Sequence, residues 1–62
     1  MLQEKVMIEW MVKGMMTSTT KEEFQESANK IMEYINKISE GDIYLKISLV
    51  NHYESELTKY AE

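Results

Sequence analysis

The side chains that do chemistry in proteins are thinly spread along this chain. It has one histidine, His52, and no cysteine, so nucleophilic catalysis has a single candidate base and no marked nucleophile. Carboxylates are plentiful, at eleven Asp and Glu, yet none stands at a spacing that marks a paired acid and base. A metal site on His52 needs carboxylates brought in from scattered positions, and none is expected. No glycine-rich run offers a phosphate cradle. These features predict a protein that is not an enzyme and carries no cofactor, with His52 on the surface.

Charge narrows the partners. Seven lysines, no arginine and a formal net charge of −4 argue against nucleic acid, because phosphate and base recognition lean on arginine and basic clusters. Glu22, Glu26, Glu33 and Glu40 form an acidic line that Lys30 and Lys37 interrupt, the pattern of a solvated helix face. The first sixteen residues are apolar but broken by Glu4, Lys5, Glu9 and Lys13, so they read as neither a signal peptide nor a membrane span. A cytoplasmic protein is expected, in the host cytoplasm if the chain is viral.

Residues 1–62 make one domain, and at this size only about 60% of the unfolded chain's surface is buried on folding. Small folds are usually supported by disulfides, a metal or a partner chain. With the first two unexpected here, association with a partner or a second copy remains.

The elements follow from periodicity. Over Thr20 to Gly41, residues Phe24, Ala28, Ile31, Ile35 and Ile38 fall four and three apart, one apolar stripe of a helix about 28 Å long. Thr20 and Glu23 form a capping-box pair, and Gly41 is a stop. From Glu4 to Lys13, Val6, Ile8, Trp10 and Val12 alternate with Met7, Glu9, Met11 and Lys13, the period of a strand; a helix here is the alternative. Lys13-Gly14 offers a tight turn, after which residues 15–19 return as a second strand or form a plain loop. Ile43, Leu45, Ile47 and Leu49 alternate with Tyr44, Lys46, Ser48 and Val50, a third strand. One continuous helix from Asp42 to Ala61 would set Glu54 in its apolar stripe. Residues 51–62 then read as a short helix, with Asn51 and Glu54 as a cap pair and Tyr53, Leu57 and Tyr60 at helical spacing.

Together these predict an α+β, two-layer domain: a three-stranded sheet (ββαβ, order 2-1-3) with one long helix and a short C-terminal helix on one face. Val6, Ile8, Trp10, Val12, Ile43, Leu45, Ile47 and Leu49 meet the helix stripe as core. The open face shows Met7, Met11, Met16, Tyr44 and Val50, rimmed by Glu9, Lys13, Lys46 and Ser48. Such a patch suits a contact surface, and methionine adapts to a partner's shape. Met7, Met11, Met16, Tyr44, Lys46 and Val50 are therefore the expected partner-binding residues, for a foreign protein, a second copy, or both. The alternative is that the methionines fill the core of a different fold.

Lys5-Val6 with Trp10, followed by Thr20-Lys21-Glu22 leading into a helix, resembles the start of the Dmd-type antitoxins of T4-like phages. The resemblance covers the first third of the chain and departs in its C-terminal half. It implies a small inhibitor that blocks a host toxin or defence protein, here through an open sheet face or edge strand, and it carries no site residue. A second expectation is a homo-oligomer that holds a small molecule or nucleotide between subunits. Tyr44 and Trp10 would stack on that ligand and lysines would neutralise it, although the lack of arginine weighs against this.

Overall fold

The computed structural model describes residues 2–61, and all of its regular structure is helical. The chain forms α1 (Leu2–Met16), α2 (Lys21–Ile38) and α3 (Ile43–Ala61). There is no strand among the described residues, which overturns the α+β sheet expected from the alternating segments. Residues 1 and 62 of the expected domain lie outside the described residues.

Helix α2 forms where its caps and stripe place it. Thr20 is its N-cap, with extended backbone (φ −126°, ψ 157°), and its hydroxyl accepts from the Glu23 amide at 3.1 Å. The Glu23 carboxylate turns back one residue further than a capping box requires. It accepts from the Thr19 amide at 3.1 Å and from the Thr19 hydroxyl at 2.8 Å, so the loop and the helix start hold each other. Ile31 and Ile35 are buried, while Ala28 and Ile38 pack against the core from its edge. The C-cap Ser39 is buried and donates its hydroxyl to the Ile35 carbonyl.

Gly41 has φ +80° and is the third residue of a turn closed by the Asp42 amide donating to the Ser39 carbonyl at 2.9 Å. A residue with a Cβ is strained in that region. Asp42, directly before the expected third strand, caps α3: its carboxylate accepts from the Leu45 amide at 3.0 Å.

Helix α1 replaces the first strand and takes in Met15 and Met16 of the second. Its inward face is Ile8, Val12 and Met15, four and three apart and all buried. Gly14 is not a hairpin turn but a helical residue. The helix runs through Met16 and closes when Thr17 donates its amide (3.2 Å) and hydroxyl (2.7 Å) to the Gly14 carbonyl. Residues 17–20 then form the link to α2.

Helix α3 is continuous from Ile43 to Ala61, so the separate third strand and the short helix from Asn51 are both corrected. Its inward stripe is Leu45, Leu49, Tyr53 and Leu57, with Glu56 beside Leu57. Glu54, whose burial was the objection to such a helix, is exposed. The charged residue inside the stripe is Glu56.

Helix α1 packs against both α2 and α3, and these two touch each other less extensively. The fully buried core is therefore small: Ile8, Val12, Met15, Ile31, Ile35 and Leu49. Half of it comes from α1. Val6, Trp10, Ile43 and Ile47, expected in the core, lie at the surface, because helical geometry puts them on other faces than Ile8 and Leu49; Phe24, in the first turn of α2 and also expected inside, is exposed as well.

Candidate functional site

Two features of α1 stand out once its inward face is assigned. On the outside, Val6, Met7 and Trp10 form an exposed apolar patch at spacings of one, three and four, with Trp10 at 73% exposure. Together with Gln3, Glu4 and Tyr34 of α2 they line a groove of about 450 Å³. A second groove continues past Trp10 along Lys13, Gly14 and Thr17. Gly14 contributes to it by having no side chain: a Cβ there would meet nothing within 4 Å.

A helix normally confines its apolar residues to the stripe that meets the core. Here α1 carries apolar side chains on its outer face as well, where the protein's own helices do not cover them. Contiguous apolar surface of this kind on a small protein marks a contact site. Tryptophan is among the side chains most often found at the energetic centre of such contacts.

The residues expected to bind a partner divide into two groups. Met7, Tyr44 and Lys46 are exposed, Tyr44 at 83%. Met11, Met16 and Val50 are half-buried and pack against the core. The sheet face that was to unite all six does not exist, so Met7 belongs with Val6 and Trp10 on α1, whereas Tyr44 and Lys46 belong to the first turn of α3 beside exposed Ile43 and Ile47. Val6 and Trp10 are the surface residues that the strand reading missed. The signal for them was the spacing of Ile8, Val12 and Met15, which leaves Val6 and Trp10 outside the helix stripe.

On the side of α1 facing α3, polar groups meet. His52 Nε2 lies 3.0 Å from Glu9 Oε2, an ion pair whenever the imidazole is protonated. One turn further along α3, Glu56 is only 6% exposed, and the ammonium of Lys59, whose side chain is 67% exposed, contacts its Oε2 at 2.7 Å. Hydrogen bonding from Lys59 to Glu56, reinforced by the attraction of that carboxylate and of Glu9, holds the lysine above its ordinary pKa. Nearby, the half-buried Tyr53 directs its hydroxyl to the Met15 sulfur at 3.9 Å, and burial raises its pKa above the usual tyrosine range. His52, expected on the surface, is thus half-buried in the α1–α3 seam.

No protein family, no curated protein and no solved structure matches this chain. Among the described residues no helix is long and apolar enough to cross a membrane.

Proposed function

We propose that this chain is a small protein-binding module, acting in the cytoplasm as an inhibitor or modulator rather than as an enzyme. It works through the outer face of α1. The observation that carries this reading is the 73% exposed Trp10 seated between Val6 and Met7 on a helix whose other side already fills the core. A partner that buries the indole gains a large, stiff apolar side chain at little conformational cost. The mode is helix recognition, with α1 laid into an apolar groove of the partner; a route through a sheet face or edge strand has no structural basis here. The resemblance of the first third to phage antitoxins supplies the class of target, a host toxin or defence protein.

Self-association is the second reading, favoured by the exposed apolar patch of Val6, Met7 and Trp10, which a second copy can match with its own. Glu4 borders it at one end and Lys13 at the other. Two α1 helices packed antiparallel through Val6, Met7 and Trp10 would cover the same apolar face of each copy. The groove beside Val6 and Met7 suits a nucleotide poorly, since its described lining includes Glu4 and no lysine.

The test is paired affinity capture with the wild-type chain and with Trp10→Glu, each checked for helicity by circular dichroism. A stoichiometric protein retained by the wild type and lost by the folded variant supports the reading. Sedimentation of the untagged chain separates the two occupants: a dimer dispersed by Trp10→Glu favours self-association. Capture and sedimentation that are both indifferent to Trp10→Glu would sink the role of this face.

A further inference from the structure

We infer that Glu9, His52 and Glu56 form a binding site for a divalent transition-metal ion of the Zn²⁺ class, in the seam between α1 and α3. His52 and Glu56 stand four residues apart on α3, so both project from one face of the helix. Glu9 meets them from α1. One ligand atom from each of the three lies within 4.8 Å of the other two. Bonds of about 2.0–2.2 Å in tetrahedral geometry require ligand atoms roughly 3.4 Å apart. The 3.0 Å separation of His52 Nε2 and Glu9 Oε2 is already near that value, and rotation of the carboxylates closes the rest.

Electrostatics supports a cation at this point. Glu56 is a carboxylate at 6% exposure, and a charge withdrawn from water to that degree needs a close countercharge. Its present countercharge is the ammonium of Lys59, carried on a long and largely exposed side chain that can swing into solvent. Lys59 is thus a displaceable placeholder. Two carboxylates and a neutral imidazole balance a divalent ion, leaving a fourth position for water. The imidazole selects the class: an all-oxygen site suits Mg²⁺ or Ca²⁺, while a nitrogen ligand favours Zn²⁺ and its neighbours. This inference does not rest on the reading of the Trp10 face and is tested by a different probe.

The experiment uses the full chain titrated with ZnCl₂, with MgCl₂ and CaCl₂ in parallel. Because the protein has a single histidine, the imidazole resonances in a nitrogen-edited NMR spectrum report on this site without any substitution. The expected result is saturable one-to-one Zn²⁺ binding that shifts the His52 Nε2 resonance. At a hundredfold excess over Kd, Tm should rise by roughly 10 °C or more. Glu9→Gln, a change at a partly exposed position that preserves shape, should weaken binding about tenfold or more, since even outer-shell partners of a metal contribute at that level. Lys59→Met should lower Tm without metal and tighten Zn²⁺ binding, a pairing that a merely structural ion pair does not produce. Binding should also weaken in acid, because protons compete for the ligands. Failure of Zn²⁺ to move the His52 resonance, equal binding of Mg²⁺ or Ca²⁺, or an affinity unchanged in Glu9→Gln would each overturn the assignment.

Discussion

Replacing Trp10 by alanine removes the largest apolar side chain of α1, and the structure says that the fold should scarcely notice. An indole can bury up to about 250 Å², but at 73% exposure Trp10 covers only about 70 Å², worth at most about 1.7 kcal/mol at about 25 cal/mol per Å². Residual burial in the unfolded chain lowers that further, toward about 1 kcal/mol. Ile35 is fully buried, and its truncation to alanine leaves a cavity that costs about 2–5 kcal/mol. Urea unfolding followed by far-UV circular dichroism should therefore rank Ile35→Ala well below Trp10→Ala in stability. Fluorescence gives an independent reading, because Trp10 is the sole tryptophan: its emission should be freely quenched by acrylamide in dilute protein. An indole shielded at every dilution, or a Trp10→Ala variant as unstable as Ile35→Ala, would show that Trp10 is core and refute the assignment of the faces of α1.

Other perturbations test the local geometry. Gly14→Ala should stabilise by roughly 0.5–1 kcal/mol, since it relieves a helical glycine and its Cβ meets nothing within 4 Å; Gly41→Ala, at φ +80°, should destabilise by about 1 kcal/mol, and denaturant midpoints decide both signs. Thr20→Ala should cost about 1 kcal/mol through the lost N-cap. The hydrogen bonds from Thr19 hold the Glu23 pKa below 4.5, so its contribution is complete above that value and is lost as pH falls through the lower folded pKa; a Glu23→Gln variant should flatten that limb of the stability profile. For Lys59 the sign reverses: its pKa is raised above 10.5, so its pairing with Glu56 contributes fully below that value. The contribution is lost only as pH climbs through the higher folded pKa, which an alkaline series of Tm values against Lys59→Met will show.

How much of this was legible in the sequence differs between helices for physical reasons. Helix α2 announces itself: Thr20 and Glu23 fix its start, Ile31 and Ile35 its inner face, and the Ser39–Asp42 turn with Gly41 its end. Helix α1 satisfies two periods at once. Val6, Ile8, Trp10 and Val12 alternate like a strand, while Ile8, Val12 and Met15 repeat like a helix, and short apolar runs do not decide between them. The tie breaks in the tertiary structure, where Ile8 and Val12 are buried while Val6 and Trp10 are exposed. The strand reading turned Val6 and Trp10 inward together with Ile8 and Val12, and its error falls on the residues that now need explaining. In α3 the same ambiguity arises because Ile43/Ile47 and Leu45/Leu49 are both four apart; only Leu49 is fully buried. A missed local signal was Asp42, directly after Gly41, which reads as a cap for the next helix. The seam of Glu9, His52 and Glu56 was illegible for a different reason: Glu9 is 43 positions from His52, and only the packing of α1 on α3 joins them.

Because α2 and α3 meet less with each other than each does with α1, α1 is the hub of folding cooperativity, and unseating it leaves two helices with little reason to stay together. The amides of its buried residues Ile8, Val12 and Met15 should then exchange with solvent only through global unfolding. The consequence for recognition is entropic. Val6, Met7 and Trp10 are displayed on the segment least free to rearrange, so a partner meets a surface that has already lost its backbone freedom, and more of the burial energy remains for affinity. Glu9 stands next to Trp10 on the same turn, so occupation of one face and order in the other are linked. Whatever tightens α1 at the seam sharpens what its outer face presents.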